Sequence, residues 1–391
     1  MKRQLLGVAA ILLSISTYAQ DNPLWMRYCA ISPDGTTIAF TYKGDIYTVP
    51  STGGRASQIT TNPAHDTKPI WSPDGKKIAF ASDRMGSMDI FEVNKEGGIP
   101  KRLTTHSGNE TPVAYKDAGH ILFLANIMPT VEDAQFPSGQ FQQVYEVNTE
   151  GGRPALFSSM PMEDISINHT GNTLLYHDKK GYEDPWRKHH TSSITRDIWL
   201  CSLNGNRTFR KQTTFNGEDR TPVWASDDKS FYYLSEEKGS FNIFKRDIDG
   251  NTSKQITNHT KHPVRFLSAA SNGTLCYGYD GEIYTVKEGA IPQKVQISIV
   301  TDKNDKDLIR QIKRSGATEI SLSPDAKEIA FVLRGDVYVT STEYSTTKQI
   351  TNTPQQERDI HFSPDGRSIV YASERNGLWP VSYTHLRAHE T

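Results

Sequence analysis

The chain has 391 residues, and its 44 Lys and Arg nearly balance 45 Asp and Glu, giving a formal net charge of −1. A chain this close to neutral lacks the basic surface that broad nucleic-acid binding needs, so no nucleic-acid partner is expected. Aromatic residues make up 10% of the chain, and 28 Gly and 20 Pro indicate a folded, turn-rich protein and exclude a disordered one.

The first predicted element is a secretory signal over residues 1–19. Lys2 and Arg3 supply a positive start, residues 5–15 are an apolar run, and Thr17 and Ala19 are small residues at the cleavage positions. The run is shorter than the roughly 20 residues of a membrane-spanning helix. We expect cleavage near Ala19-Gln20 and an exported protein, periplasmic or secreted, without a membrane partner after cleavage.

A tetrapeptide turn recurs along the chain from residue 32 onward. Clear Ser-Pro-Asp-Gly or Ser-Pro-Asp-Ala copies occupy 32–35, 72–75, 323–326 and 363–366, and degenerate copies occur near 117, 169, 227 and 272. Pro presets the second position of a type I turn, Asp suits the third, and Gly closes it.

Each turn is followed by alternating strand sequence such as 77–81, an Asp-Ile-Tyr-like strand such as 45–49, a Gly turn and a last short strand. Four short antiparallel strands in 40 to 50 residues make one blade of a β-propeller.

The spacing of the repeats predicts the domain organisation of an all-β protein. Residues 24–297 are predicted to form a six-bladed β-propeller of four-stranded antiparallel blades. Residues 298–316 are charged, break the repeat and are predicted to be a linker. Residues 317–379 then form the first two blades of a second propeller, with a single eight-bladed ring as the alternative. Residues 380–391 fit no blade, and we expect them to be a non-native tail.

A long insertion in the fourth repeat, 178–196, is the candidate binding segment. It brings Arg187, Lys188, His189 and His190 together on a predicted loop, where binding residues tend to lie. One interpretation is a basic patch at the channel mouth that holds a substrate carboxylate. The alternative is a solvated loop packed on a neighbouring domain. A shorter insertion, 127–142, interrupts the third repeat.

No metal, cofactor or catalytic residue is predicted from the sequence. His189 and His190 lack the further ligands that a zinc site needs, and 302–307 lacks the Gly and the closing Glu of a calcium loop. Nucleophile-elbow, zinc-protease and phosphate-loop motifs do not occur. The cysteines are predicted to be buried free thiols in strands and not a disulfide framework: Cys29, Cys201 and Cys276.

The order of these repeats resembles the N-terminal part of tricorn-type serine proteases. A first propeller is followed directly by a second. The repeat begins again at 316–332, and the motifs of the next blade occupy 355–377. The resemblance extends over about 24–379. It implies a propeller region that filters or channels oligopeptides to a Ser/His-based peptidase core. That core and its PDZ module lie beyond this chain, so none of the family's catalytic residues matches a position here.

The resemblance also implies the partners: peptides or unfolded polypeptide segments, the PDZ and protease domains, and a homo-oligomeric assembly as an option. Two alternatives stay open at this point. One is a stand-alone periplasmic binding propeller of the Tol-associated (TolB-like) kind. The other is the propeller of a prolyl-oligopeptidase-type hydrolase. The sequence that follows Trp379 in the gene would separate all three.

Overall fold

A computed structural model describes residues 23–127, 141–184, 186–187, 191–300, 312–374 and 378–385. The chain divides into two compact units between residues 301 and 302. Every regular element in the described ranges is a β-strand, which confirms the all-β class. Within those ranges there is no helix long and apolar enough to cross a membrane. The predicted signal, most of the 127–142 insertion and the last six residues lie outside them.

The described part of the first unit forms six sheets, each built from four consecutive antiparallel strands. The strands of the first three sheets are β1 (Arg27–Ile31), β2 (Thr37–Tyr42), β3 (Asp45–Pro50) and β4 (Gly54–Gln58); β5 (Asp66–Trp71), β6 (Lys77–Ser82), β7 (Asp89–Asn94) and β8 (Lys101–Arg102); and β9 (Glu110–Asp117), β10 (His120–Ala125), β11 (Gln143–Asn148) and β12 (Ala155–Ser158). The strands of the next three are β13 (Met162–Ile167), β14 (Thr173–Asp178), β15 (Ile198–Ser202) and β16 (Thr208–Lys211); β17 (Asp219–Trp224), β18 (Ser230–Ser235), β19 (Asn242–Asp247) and β20 (Ser253–Gln255); and β21 (Arg265–Ala269), β22 (Leu275–Tyr279), β23 (Glu282–Val286) and β24 (Gln293–Lys294).

These sheets follow one another around a ring. The first strand of each sheet contacts the first strand of the next, from β1 through β5, β9, β13, β17 and β21, and β21 in turn contacts β1. The first strands therefore line the centre of the ring, and each sheet is a blade. This confirms the prediction of a propeller built from four-stranded blades.

Apolar layers between neighbouring blades form the core of the first unit. In the second blade, Ile78 and Phe80 pack toward the first blade, while Ala79 packs toward the third. The second strand of a blade is buried on both faces, so its apolar residues are nearly continuous. Large and small residues alternate over 77–81 because the two faces of this strand pack against different blades.

The ring closes where the sixth blade meets the first, and an additional strand covers this closure. Strand β25 (Ile297–Ile299) pairs in parallel with β4, so the first blade has five strands. The main-chain N–H of Gly54 donates to the carbonyl oxygen of Gln296 at 2.8 Å. Residues 298 and 299, assigned to the linker from the sequence, thus belong to the ring, because the open edge of β4 offers them backbone partners.

The Ser-Pro-Asp-Gly turn is held by its own side chains. In the copy at 72–75 the Ser72 hydroxyl donates to Asp74 Oδ1 at 2.7 Å and accepts from the main-chain N–H of Lys77 at 2.9 Å. Asp74 Oδ1 also accepts from the main-chain N–H of Lys76 at 3.1 Å. The copies that begin at Ser323 and Ser363 make the same bonds.

The second unit contains two sheets in its described residues. The first sheet comprises β26 (Ala317–Leu322), β27 (Glu328–Leu333), β28 (Asp336–Ser341) and β29 (Thr347–Gln349), and the second comprises β30 (Glu357–Phe362), β31 (Ser368–Ser373) and β32 (Val381–His385). The expectation that 380–391 fits no blade is wrong for 381–385. This segment pairs antiparallel with β31, which otherwise has an open edge, and its Val and Tyr favour a strand. The non-native origin of the tail stays a prediction.

Candidate functional site

A central cavity of about 500 Å³ lies along the axis of the first unit, and the first strand of every blade contributes to its wall. We call it the channel. Its wall includes Tyr28 and Lys68 from the first two blades, Asp164 from the fourth, and Thr221 and Phe266 from the last two.

A β-bulge in each first strand positions these side chains. The pairing register shifts by one residue in β1, β5, β9, β13, β17 and β21. In five of the six bulges the extra residue has a positive φ of 49–56°, and these residues are Tyr28, Lys68, Asp164, Thr221 and Phe266. A bulge residue is released from the ladder and can aim its side chain away from the sheet.

One sequence rule locates these residues. In all five blades the positive-φ residue lies four positions before the residue whose carbonyl closes the following turn, for example Lys68 before Ser72. The turns themselves are visible in the sequence, and the bulge residues lie at a fixed distance before them. The channel residues were missed, although this fixed offset would have located them.

Cationic side chains from four of the six blades line the channel, and they are Lys68, Arg196, Arg220 and Arg265. Within the described part of the chain, no carboxylate lies within 4.0 Å of the Lys68 ammonium. Its Nζ lies 5.7 Å from the centroid of the Tyr28 ring. Burial lowers the pKa of Lys68, and burial together with neighbouring Arg220 lowers the pKa of Arg265 to about 10. A neighbouring anion would favour the charged form of each group.

The acidic side of the channel is already satisfied by partners in the chain. Glu163 contacts His177 Nε2 at 3.1 Å and Lys179 Nζ at 2.9 Å. Burial opposes its ionisation, but these two partners hold its pKa well below the usual range. Asp164 Oδ2 accepts a hydrogen bond from the Thr221 hydroxyl at 2.6 Å. Among the described lining residues, Lys and Arg side chains outnumber Asp and Glu by four to two.

An aromatic side chain from the 178–196 insertion reaches the channel. Trp186 lies under two guanidinium groups, with Arg27 at 4.6 Å and Arg265 at 5.1 Å from its ring centroid. It also meets Phe266 edge-on at 5.9 Å. Arg265 Nη2 donates to the carbonyl oxygens of Trp186 and Arg187 at 2.9 and 3.0 Å, which fixes the insertion against the sixth blade.

Arg187, the described member of the predicted basic patch, is buried behind this tryptophan. Its Nη2 lies 2.7 Å from Glu218 Oε2 and its Nη1 lies 2.6 Å from Glu236 Oε2. The guanidinium also stacks over Phe241 at 5.0 Å. Its visible contacts anchor the insertion to the fifth blade. Lys188, His189 and His190 lie outside the described residues, so carboxylate binding by this patch stays a prediction.

Two further arginines complete the buried ion cluster beside the channel. Arg196 Nη1 lies 3.0 Å from Glu218 Oε1, and Arg220 Nη1 lies 3.8 Å from the same oxygen. The described residues contain no cluster of three or more His, Cys, Asp or Glu side chains placed to hold a metal ion. The arrangement can bind an anion next to an aromatic surface.

Comparison with known proteins gives a consistent assignment. The family described as the Tricorn protease N-terminal beta propeller domain matches residues 23–290. Tricorn protease homolog 1 of Streptomyces coelicolor is 25% identical over 365 residues, covering 91% of this chain and 32% of that protein. The tricorn protease homolog of Saccharolobus solfataricus is 26% identical over 296 residues, covering 72% of this chain and 26% of that protein. This chain spans a third or less of the length of these relatives.

The crystal structure of the tricorn protease is similar in fold. It has a TM-score of 0.62 and 18% sequence identity, covering 90% of this chain and 33% of that one. The resemblance inferred from the repeats is thereby confirmed.

Proposed function

Because the chain belongs to the family of tricorn protease N-terminal β-propeller domains, we propose that the channel of its first unit admits peptides and holds them by a carboxylate. The peptide would then pass to or from a serine-type peptidase core outside this chain. An exported location, which the predicted signal favours, belongs to the same proposal.

The observation that carries this proposal is the cationic arc beside Trp186. Arg220, Arg265 and Arg27 occupy equivalent positions just before the bulges of the fifth, sixth and first blades, which are neighbours in the ring. A peptide carboxylate entering here would meet guanidinium groups suited to charge-assisted hydrogen bonds. Trp186, Phe266 and Tyr28 offer the flat apolar surface that a peptide side chain needs.

Peptide binding by the purified mature chain tests this function. A fluorescently labelled peptide with a free C-terminal carboxylate should bind, and its C-terminal amide should bind about tenfold more weakly, because one charge-assisted hydrogen bond is lost. Fluorescence anisotropy measures both affinities.

A matched pair of variants locates the binding. Lys68→Met removes a channel cation that has no carboxylate within 4.0 Å among the described residues, and it should weaken the acid peptide about tenfold. Lys101→Met removes an exposed cation that pairs with Glu150 on the outside of the ring, and should change nothing. Equal affinity for acid and amide, or an unaffected Lys68→Met, would contradict the proposal.

A further inference from the structure

Two of the three cysteines lie together where the ring closes. Cys29 is in β1 of the first blade, and Cys276 is in β22 of the sixth blade. Both are buried, with 4% and 0% of their surface exposed, and both belong to the apolar cluster that joins these blades. Cys201 lies in β15 of the fourth blade and is not part of that cluster.

Ser268 holds the backbones of the two cysteines at close spacing. Its hydroxyl lies 3.5 Å from the carbonyl oxygen of Cys29 and 3.4 Å from that of Cys276. The main-chain N–H of Ile31 donates to the same hydroxyl at 3.0 Å. Both side chains lie in the same apolar cluster, which residues of β1 and β22 help to build. These two strands touch, so the backbones of the two cysteines are neighbours, as a disulfide requires.

We propose that Cys29 and Cys276 form a disulfide that closes the ring covalently when the chain folds in the presence of a disulfide-containing oxidant. One Sγ–Sγ bond forms, and the two thiol hydrogens with their electrons pass to the oxidant, whose own disulfide becomes two thiols. An exported chain would meet such oxidants. The bond would join the first and last blades, which are otherwise held by packing and hydrogen bonds.

One of the two thiols reacts with the oxidant before the blades meet, forming a mixed disulfide and releasing one thiol of the oxidant. The second cysteine displaces the oxidant's other thiol as the ring closes. In the closed ring both sulfurs are buried, and burial raises the pKa of the Cys276 thiol well above its usual range. Since the thiolate is the attacking species, the closed reduced ring reacts slowly with added oxidant. The open ring during folding exposes both thiols.

Refolding of the denatured mature chain tests the proposal. The chain is refolded in a mixture of reduced and oxidised glutathione, blocked with N-ethylmaleimide, and digested with trypsin without reduction. Cleavage after Arg27, Lys43, Arg265 and Lys287 isolates the two cysteines on peptides 28–43 and 266–287. We expect these peptides joined by a disulfide, with Cys201 found as its maleimide adduct on peptide 197–207.

The melting temperature provides a second measurement. Constraining so long a loop should raise the melting temperature of the oxidised first unit by about 5–10 °C over the reduced one. Cys201→Ser should keep both the cross-link and the shift, and Cys29→Ser should lose both. If Cys29→Ser does not fold, the comparison of oxidised and reduced native chain still decides. Maleimide adducts on all three cysteines, glutathione adducts, or a cross-link to peptide 197–207 would overturn the proposal.

Discussion

Single acidic residues at the beginning of the first strands join one blade to the preceding one. Glu110 begins β9 and accepts a hydrogen bond from Thr104, which follows the last strand of the second blade. Asp219 begins β17 and interacts with Thr213, which follows the last strand of the fourth blade, and with Ser235. Burial raises the pKa of each carboxyl to about 7. Protonated, each carboxyl is a neutral link between blades.

These raised pKa values give the first unit a defined pH dependence. The folded state binds the two protons more tightly than the unfolded state, so the stabilisation is complete below about pH 4 and is lost as the pH rises through about 7. Asp219→Asn or Glu110→Gln should raise stability at pH 8 by roughly 1–3 kcal/mol and flatten the pH profile.

Urea denaturation at pH 5 and pH 8 measures the effect. Glu96→Gln, at an exposed carboxylate, is the control and should leave the profile unchanged. The prediction would be contradicted if the wild-type protein were more stable at pH 8 than at pH 5 and the variants had the same pH profile. Ionisation of these two carboxyls would then carry no cost in folding free energy.

The composition of the 178–196 insertion predicted a candidate binding segment, but it could not predict the contacts of Arg187. Its partners Glu218 and Glu236 follow in the next repeat, and their meeting depends on how two blades pack. Trp186 lies in the same insertion, and its place in the channel wall depends on the same packing of blades.

At the scale of elements, the turn side chains fix where each strand begins. The Ser72 hydroxyl is buried and satisfies the N–H of Lys77, the first residue of β6. The carboxylate of Asp74 has its pKa lowered by the hydrogen bond from Ser72 and by the N–H of Lys76. The hydrogen bonds that form each turn therefore lie within about six consecutive residues.

Ser72→Ala removes this local support. The N–H of Lys77 loses its side-chain acceptor, and we expect a loss of about 1–2 kcal/mol in the stability of the first unit. Chemical denaturation followed by tryptophan fluorescence measures the change. Ser57→Ala, at an exposed position of β4, is the matched substitution and should be neutral. Equal effects of the two changes would mean that the turn bonds add no stability.

This locality explains which elements could be predicted. The blade strands follow from turns and alternating residues, both of which are readable within one repeat. Strand β25 was missed because five blades separate it from its partner β4 in the chain, and its short apolar sequence resembles many loop segments. Pairing over that distance leaves no periodic signal.

On the scale of the molecule, the close approach at the ring closure depends on one glycine. Gly53 has φ of 91°, and a Cβ at this position would come within 2.6 Å of the carbonyl oxygen of Gln296. Gly97 occupies the equivalent turn of the second blade with φ of 94°, and there the nearest atom is 3.6 Å away.

Alanine at these two glycines separates backbone strain from loss of closure. Both substitutions carry the conformational cost of a positive φ, about 1 kcal/mol. Gly53→Ala must also displace Gln296 and β25, so it should destabilise the first unit by about 1–2 kcal/mol more than Gly97→Ala does. Thermal unfolding of the two variants makes the comparison. Equal losses would mean that β25 contributes nothing to closure.

The bulges have a consequence for how such a ring can evolve. Because each bulge residue is released from the strand ladder and lines the channel, its side chain can be exchanged with little change to the ladder. Tyr28, Lys68, Asp164, Thr221 and Phe266 already show how dissimilar the side chains at this position can be. A lineage could therefore turn a cationic passage into an acidic or apolar one through a few point substitutions, and acquire new cargo while inheriting the same scaffold.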